Sequence, residues 1–136
     1  MSVAIFASGG ALAEGQVQLN ITISTPEGAV EATLESTPAA QEFARRLPLS
    51  LTLNDYAGKE KVSDLPFDLP RKGSPDGFTP TIGDISYYAP WGNLAIFYQP
   101  FSYSQGLIKL GRIKGDLKKL GIGKPTLVTI QLAAGE

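Results

Sequence analysis

Hydrophobic and polar residues alternate cleanly from Gln16 to Ser24. Val17, Leu19, Ile21 and Ile23 share one face, and Gln18, Asn20, Thr22 and Ser24 share the other. A period of two predicts a half-buried strand. Thr25-Pro26-Glu27-Gly28 places proline and glycine where a turn uses them, so the run from Ala29 to Leu34 returns as the second strand of a hairpin. Thr37-Pro38 then changes the period. Threonine is a good N-cap and proline suits the first helical position. A helix is expected here, with Phe43, Ala44 and Leu47 as its apolar face. Arg45-Arg46 sit in its last turn, where cations favour the dipole, and Pro48 ends it. Leu49, Leu51 and Leu53 resume the alternation. Residues 54–81 read as irregular, because Pro66, Pro70, Pro75 and Pro80 interrupt any long element. Two strands, from Thr81 to Tyr88 and from Gly92 to Tyr98, are expected around the turn Ala89-Pro90-Trp91-Gly92. Further strands follow from Leu107 to Ile113 and from Thr126 to Leu132, with a short helix from Asp116 to Leu120 between them. On the last strand Val128, Ile130 and Leu132 face one way and Leu127 the other. Short strands dominate, so the expected architecture is mainly β: a closed antiparallel β-barrel with one or two short helices. An open α+β sheet is the alternative.

Composition narrows the chemistry. The chain has 136 residues, the length of one domain, and a domain of this size buries roughly two-thirds of its unfolded surface. It contains no cysteine and no histidine. That excludes disulfides, a thiolate nucleophile, a Cys/His zinc site and a histidine general base. A carboxylate-only magnesium or calcium site survives composition, but no run of acids has the spacing of an EF-hand; no metal and no cofactor is expected. The 12 basic and 13 acidic residues nearly cancel, which argues against nucleic acid as a partner. No stretch approaches the roughly 18 apolar residues of a membrane-spanning helix, so stable membrane insertion is not expected. Val3 to Ala13 is small and apolar, and Ala11-Leu12-Ala13 has the shape of a signal-peptidase site, but no basic residue precedes it. Residues 1–15 therefore read as a separate N-terminal segment, either a signal-peptide remnant of a periplasmic or secreted protein or the leading segment of a cytoplasmic one. Residues 16–136 read as the folded domain.

Three motifs carry a resemblance. They are Leu49-Ser50-Leu51-Thr52-Leu53-Asn54-Asp55-Tyr56-Ala57-Gly58-Lys59-Glu60-Lys61 with Asp64-Leu65-Pro66, then the run from Gly83-Asp84-Ile85 through Trp91-Gly92-Asn93 to Tyr98, and Gly106 to Ile113. Together they resemble the bacterial cyclophilin-like domain family, over roughly residues 16–132. The resemblance implies a closed cyclophilin-like barrel with a helix plugging one end. It also raises peptidyl-prolyl isomerase activity. Cyclophilins use an arginine near a Phe-x-x-Gln pattern, with a tryptophan and a histidine lining the proline pocket. This chain has no histidine and no Phe-Met-x-Gln segment, and no arginine here maps onto the catalytic one. Isomerisation has a barrier of about 18–20 kcal/mol, which one well-placed guanidinium can lower electrostatically.

Eight of the twelve aromatic residues lie between Phe78 and Tyr103. Adjacent strand residues face opposite ways, so Tyr87 and Tyr88 should not both enter the core, nor should Phe97 and Tyr98. Tyrosine and tryptophan are favoured at recognition surfaces. The expected site is a groove lined by Tyr88, Trp91, Tyr98 and Phe101, with Arg112 as its polar anchor. Its partner would be a peptide or small ligand. Ordinary barrel packing, and a structural ion pair for Arg112, are the alternatives. The segment from Asn54 to Lys61 is a second candidate, read as a loop in which Asn54-Asp55-Tyr56-Ala57-Gly58 forms an Asx-type turn, Asp55 or Glu60 fixes the loop, and a lysine, Lys59 or Lys61, meets an anionic ligand. Solvated charges are the alternative there. Asp84 is read as a turn cap or the partner of a nearby lysine or arginine, or else as a reacting acid. The first expectation is thus a non-catalytic ligand-binding domain. The rivals are an unconventional prolyl isomerase and a small-molecule enzyme working through carboxylates such as Asp55 or Asp84.

Overall fold

The computed structural model describes residues 18–134. Among the described residues are ten strands: β1 (Leu19–Thr25), β2 (Gly28–Leu34), β3 (Leu49–Tyr56), β4 (Glu60–Asp64), β5 (Gly77–Phe78), β6 (Asp84–Tyr88), β7 (Asn93–Phe97), β8 (Ser104–Gln105), β9 (Leu107–Ile113) and β10 (Thr126–Leu132). Eight of them close an antiparallel barrel in the order β1-β10-β3-β4-β7-β6-β9-β2, and β5 and β8 form a separate two-stranded sheet. Closure leaves no free edge, and it decides against the open sheet. The N-terminal segment assigned to residues 1–15 lies outside the described residues, as do Gln16 and Val17.

The alternation seen in the sequence fills the barrel. Ile21 and Ile23 of β1, Val30, Ala32 and Leu34 of β2, Leu51 and Leu53 of β3, and Val128 and Ile130 of β10 all enter one core. Leu132 departs from its predicted place: it ends β10 and lies exposed. Helix α1 (Pro38–Arg45) starts as its sequence requires. Thr37 Oγ1 accepts from the Ala40 amide at 3.3 Å, and Pro38 opens the first turn. Ala39, Ala40, Phe43 and Ala44 pack into the barrel core, and Leu47 packs against it from the side. A short 3-10 helix over Leu117–Leu120 adds Leu120 to the core. Gly111 of β9 is forced by close approach, since a Cβ there would lie 1.9 Å from the Thr33 carbonyl oxygen.

One expectation about this region is corrected. Residues 54–81 are not all irregular. β3 runs on to Tyr56, and β4 returns from Glu60 as the other arm of a tight hairpin, pairing Tyr56 with Glu60, Asp55 with Lys61 and Asn54 with Val62. Ala57 and Gly58 make the turn with φ of 56° and 64°. β4 then pairs with β7 along its length. The Glu-Lys-Val-Ser-Asp sequence of β4 hides a strand because its inward position is a lysine.

Candidate functional site

Strand alternation separates two polar sites that share the same strands. Lys61, fully buried, turns toward the end of the barrel. Its ammonium donates to Asp55 Oδ1 at 2.7 Å, to the Gly121 carbonyl at 2.9 Å and to the Lys124 carbonyl at 2.7 Å. Asp55 Oδ2 accepts from the Tyr98 hydroxyl at 2.7 Å and from the Gly123 amide at 2.9 Å. Gly121 sits at φ 73°, and a Cβ there would lie 1.9 Å from Thr126 Oγ1, so only glycine brings its carbonyl to the lysine. Burial pushes the Asp55 carboxyl up, but the bonds from Lys61, Tyr98 and Gly123 outweigh it and hold it below the usual range. Burial and the Asp55 carboxylate raise the Tyr98 hydroxyl to about 12. All three donors of the ammonium are used, and the network ties the 121–124 turn across the barrel end.

The residues beside these point the other way. Leu94 and Ile96 of β7 enter the barrel core, whereas Ala95 and Phe97 join Leu107 in a second apolar cluster on the outer face, flanked by Val62, Phe78 and Tyr88. A cleft of about 260 Å³ opens over this cluster. Val62, Phe97 and Leu107 form its floor. Trp91 stands between Tyr56 and Tyr88, edge-on to both, with ring centroids 5.8 and 5.4 Å away. Phe101 closes the opposite side, 6.1 Å from Phe97 between centroids.

Two buried polar groups enter this apolar space. Glu60 is 9% exposed and Asn93 is 6% exposed. The Glu60 carboxyl has no cation and no hydrogen-bond donor among the described residues, and burial alone pushes it up to about 7. Asn93 Oδ1 is buried and likewise has no partner. Glu60 pairs with Phe97, and Asn93 lies four residues along β7 from Phe97, a span of about 13 Å at the usual strand rise. The acid and the amide therefore mark the two ends of the cleft. Buried polar groups are nearly always bonded, and an unpaired carboxyl near neutrality in a concave site is the pattern of a functional residue.

The comparisons with known proteins agree with this fold. The sequence pattern of the cyclophilin-like family matches residues 23–131. The chain belongs to the cyclophilin-like family. A hypothetical protein of Archaeoglobus fulgidus, solved in solution, has a similar structure, with a TM-score of 0.67 and 18% sequence identity, covering 89% of this chain and 99% of that one. No curated protein matches the sequence.

Within this cyclophilin-like barrel the sequence candidates fall into three groups. Tyr88, Trp91 and Phe101 line the cleft, joined by Tyr56 and Glu60 from the second candidate segment. Tyr98, Asp55 and Lys61 form the barrel-end network, so Tyr98 is not part of the groove and Lys61 meets Asp55 rather than an external anion. Glu60 and Lys61 are not solvated charges either. Arg112 is not the groove's anchor. It forms an ion pair with Asp84, its register partner between β9 and β6, and its second Nη donates to the Ile82 carbonyl at 2.8 Å. Asp84 is 2% exposed and also accepts from the Thr81 amide at 2.8 Å, with the Lys109 ammonium 3.6 Å away. It acts as a cap and an ion-pair partner. Asn93, Val62 and Leu107 complete the cleft without having been singled out. Asn93 had a legible signal: it shares strand parity with Ala95 and Phe97 and is polar in an otherwise apolar run.

Proposed function

We propose that this cyclophilin-like domain binds a small ligand, or one side chain of a peptide, in the cleft between Trp91 and Phe101. One observation carries the reading: a buried carboxyl, Glu60, faces an aromatic cleft with no partner among the described residues. Asn93 Oδ1, at the other end of the cleft, is buried without a hydrogen bond, which costs about 1–3 kcal/mol, and a ligand donor reaching it offsets that cost only when bound. The rings supply apolar contact at low entropic cost, because each has only two side-chain torsions. Arg112, the residue most suited to polarise a twisting prolyl amide, is engaged by Asp84 away from the cleft, so binding without isomerisation is the better account. Likewise, of the acids considered, only Glu60 lines the cleft, so a mechanism using a pair of carboxylates has less support.

NMR titration with three four-carbon probes, 1-butanol, n-butylammonium and butyrate, tests the binding reading. Amide shifts confined to Tyr88, Trp91, Asn93, Phe97 and Leu107 with at least one probe are expected. No shift at these residues with any probe would overturn it. Exchange spectroscopy on an Ala-Pro peptide tests catalysis separately, and acceleration of cis–trans exchange by the protein would restore the isomerase.

A further inference from the structure

The ligand class can be narrowed from the charges and the hydrogen-bonding sense of the cleft. Among the described residues Glu60 is its only charged lining residue, and no lysine or arginine lines it. Among the described residues neither the Glu60 carboxyl nor the buried Asn93 Oδ1 has a partner, and both are acceptors when the acid is ionised. Ser104, at the rim, already donates its hydroxyl to the Ser102 carbonyl at 3.1 Å. The two acceptors ask for donors, and beside them the lining itself offers only neutral ones, the Tyr56 and Tyr88 hydroxyls, the Trp91 indole N–H and the Asn93 amide N–H. Around it stand five rings: Tyr56, Tyr88, Trp91, Phe97 and Phe101. An aromatic face attracts a cation, most strongly at tryptophan, and the attraction grows when water is excluded. An anionic guest would be repelled by the ionised carboxyl, and a neutral donor would bond to it without balancing its charge.

We infer that the cleft takes a primary ammonium group on an aliphatic stem. The ammonium donates to Glu60, and the stem lies over Val62 and Phe97 between the Trp91 and Phe101 walls. A second donor further along the stem reaches Asn93. This assignment rests on the binding reading above and deepens it. The chemistry is shared by a free alkylamine and by a lysine side chain of a peptide, and nothing in it requires a covalent step.

Trp91 is the single tryptophan of the chain, so its fluorescence reports the cleft directly. The test titrates the wild-type protein at pH 8 with n-butylammonium, its neutral isostere 1-butanol and butyrate, following Trp91 emission and the cleft amide shifts together. The ammonium is expected to bind about tenfold or more tighter than the alcohol, as a charge-assisted hydrogen bond requires. Glu60→Gln should remove that preference, so that the ammonium binds no tighter than the alcohol. Butanol binding as tightly as the ammonium, or butyrate tighter than either, would overturn the ammonium assignment and leave the binding reading standing. No probe reaching the cleft would overturn both. The wild-type arms hold even if the variant folds poorly. Nα-acetyl-lysine methylamide separates the two sources: binding tighter than butylammonium assigns a lysine of a peptide, and equal or weaker binding assigns a free amine.

Discussion

Glu60 and Lys61 are adjacent in sequence, both buried, and opposite in their surroundings. Lys61 faces the barrel end, where every donor it carries finds an acceptor and Asp55 balances its charge. Glu60 faces the outer cleft, where rings replace partners. The same division runs through the strands beside them. Asp55 and Tyr98 join the saturated network, while Tyr56 and Phe97 line the open site. The difference shows how a barrel handles buried charge. One face uses it to close the structure, and a one-residue step along the strand leaves it available to something from outside.

The largest effect should come from breaking the saturated side. Lys61→Met leaves two carbonyls and a carboxylate without their cation, and should destabilise the fold by about 3–5 kcal/mol in denaturant unfolding. A loss below about 1 kcal/mol would show that the network is not structural. Arg112→Ala comes next. It strips Asp84 of its main cation, although Lys109 and Thr81 remain, and should cost about 2 kcal/mol of stability without altering probe binding. An effect confined to binding would return Arg112 to the ligand site.

On the open side the sign reverses. The folded Glu60 titrates at about 7 against an ordinary 4.5. Between those values the folded state holds more protons than the unfolded one, so stability falls as pH rises through that window. Glu60→Gln removes this dependence. The variant should match the wild type near pH 4 and exceed it above pH 7 by about 2 kcal/mol, a figure reduced for the solvent that enters the cleft. The smallest test is at the hinge between the two sides. Ala57 holds φ 56° in the β3–β4 turn, and Ala57→Gly should gain about 0.5 kcal/mol, the left-handed strain relieved less the entropy glycine adds. A loss instead would mean that the turn is not strained.

The fold was largely legible because period-two alternation survives in most of the barrel strands, from Ile21-Ile23 to Val128-Ile130. β4 was not, since Lys61 occupies the inward position that a hydrophobic residue usually marks, and its compensation comes from carbonyls of a turn sixty residues away. The aromatic cluster announced part of the cleft in Tyr88, Trp91 and Phe101. The parity rule also separated Tyr87 from Tyr88 and Phe97 from Tyr98 correctly, with the first of each pair the more buried. Parity does not say which outward residue lines a cleft. Tyr98 was lost to Asp55 and Arg112 to Asp84, because long-range partners are set by register between strands distant in the chain. Glu60 gained its role only once β4 paired with β7 and brought it over Phe97.

Carbon-13 NMR titration of the side-chain carboxyls reads both sides of the comparison in one experiment. Glu60 should titrate with a midpoint near 7, and Asp55 should remain ionised well below the usual carboxylate range. A Glu60 midpoint near 4.5 would mean that the carboxyl is solvated or paired, and would contradict the unpaired acid on which the proposed binding rests.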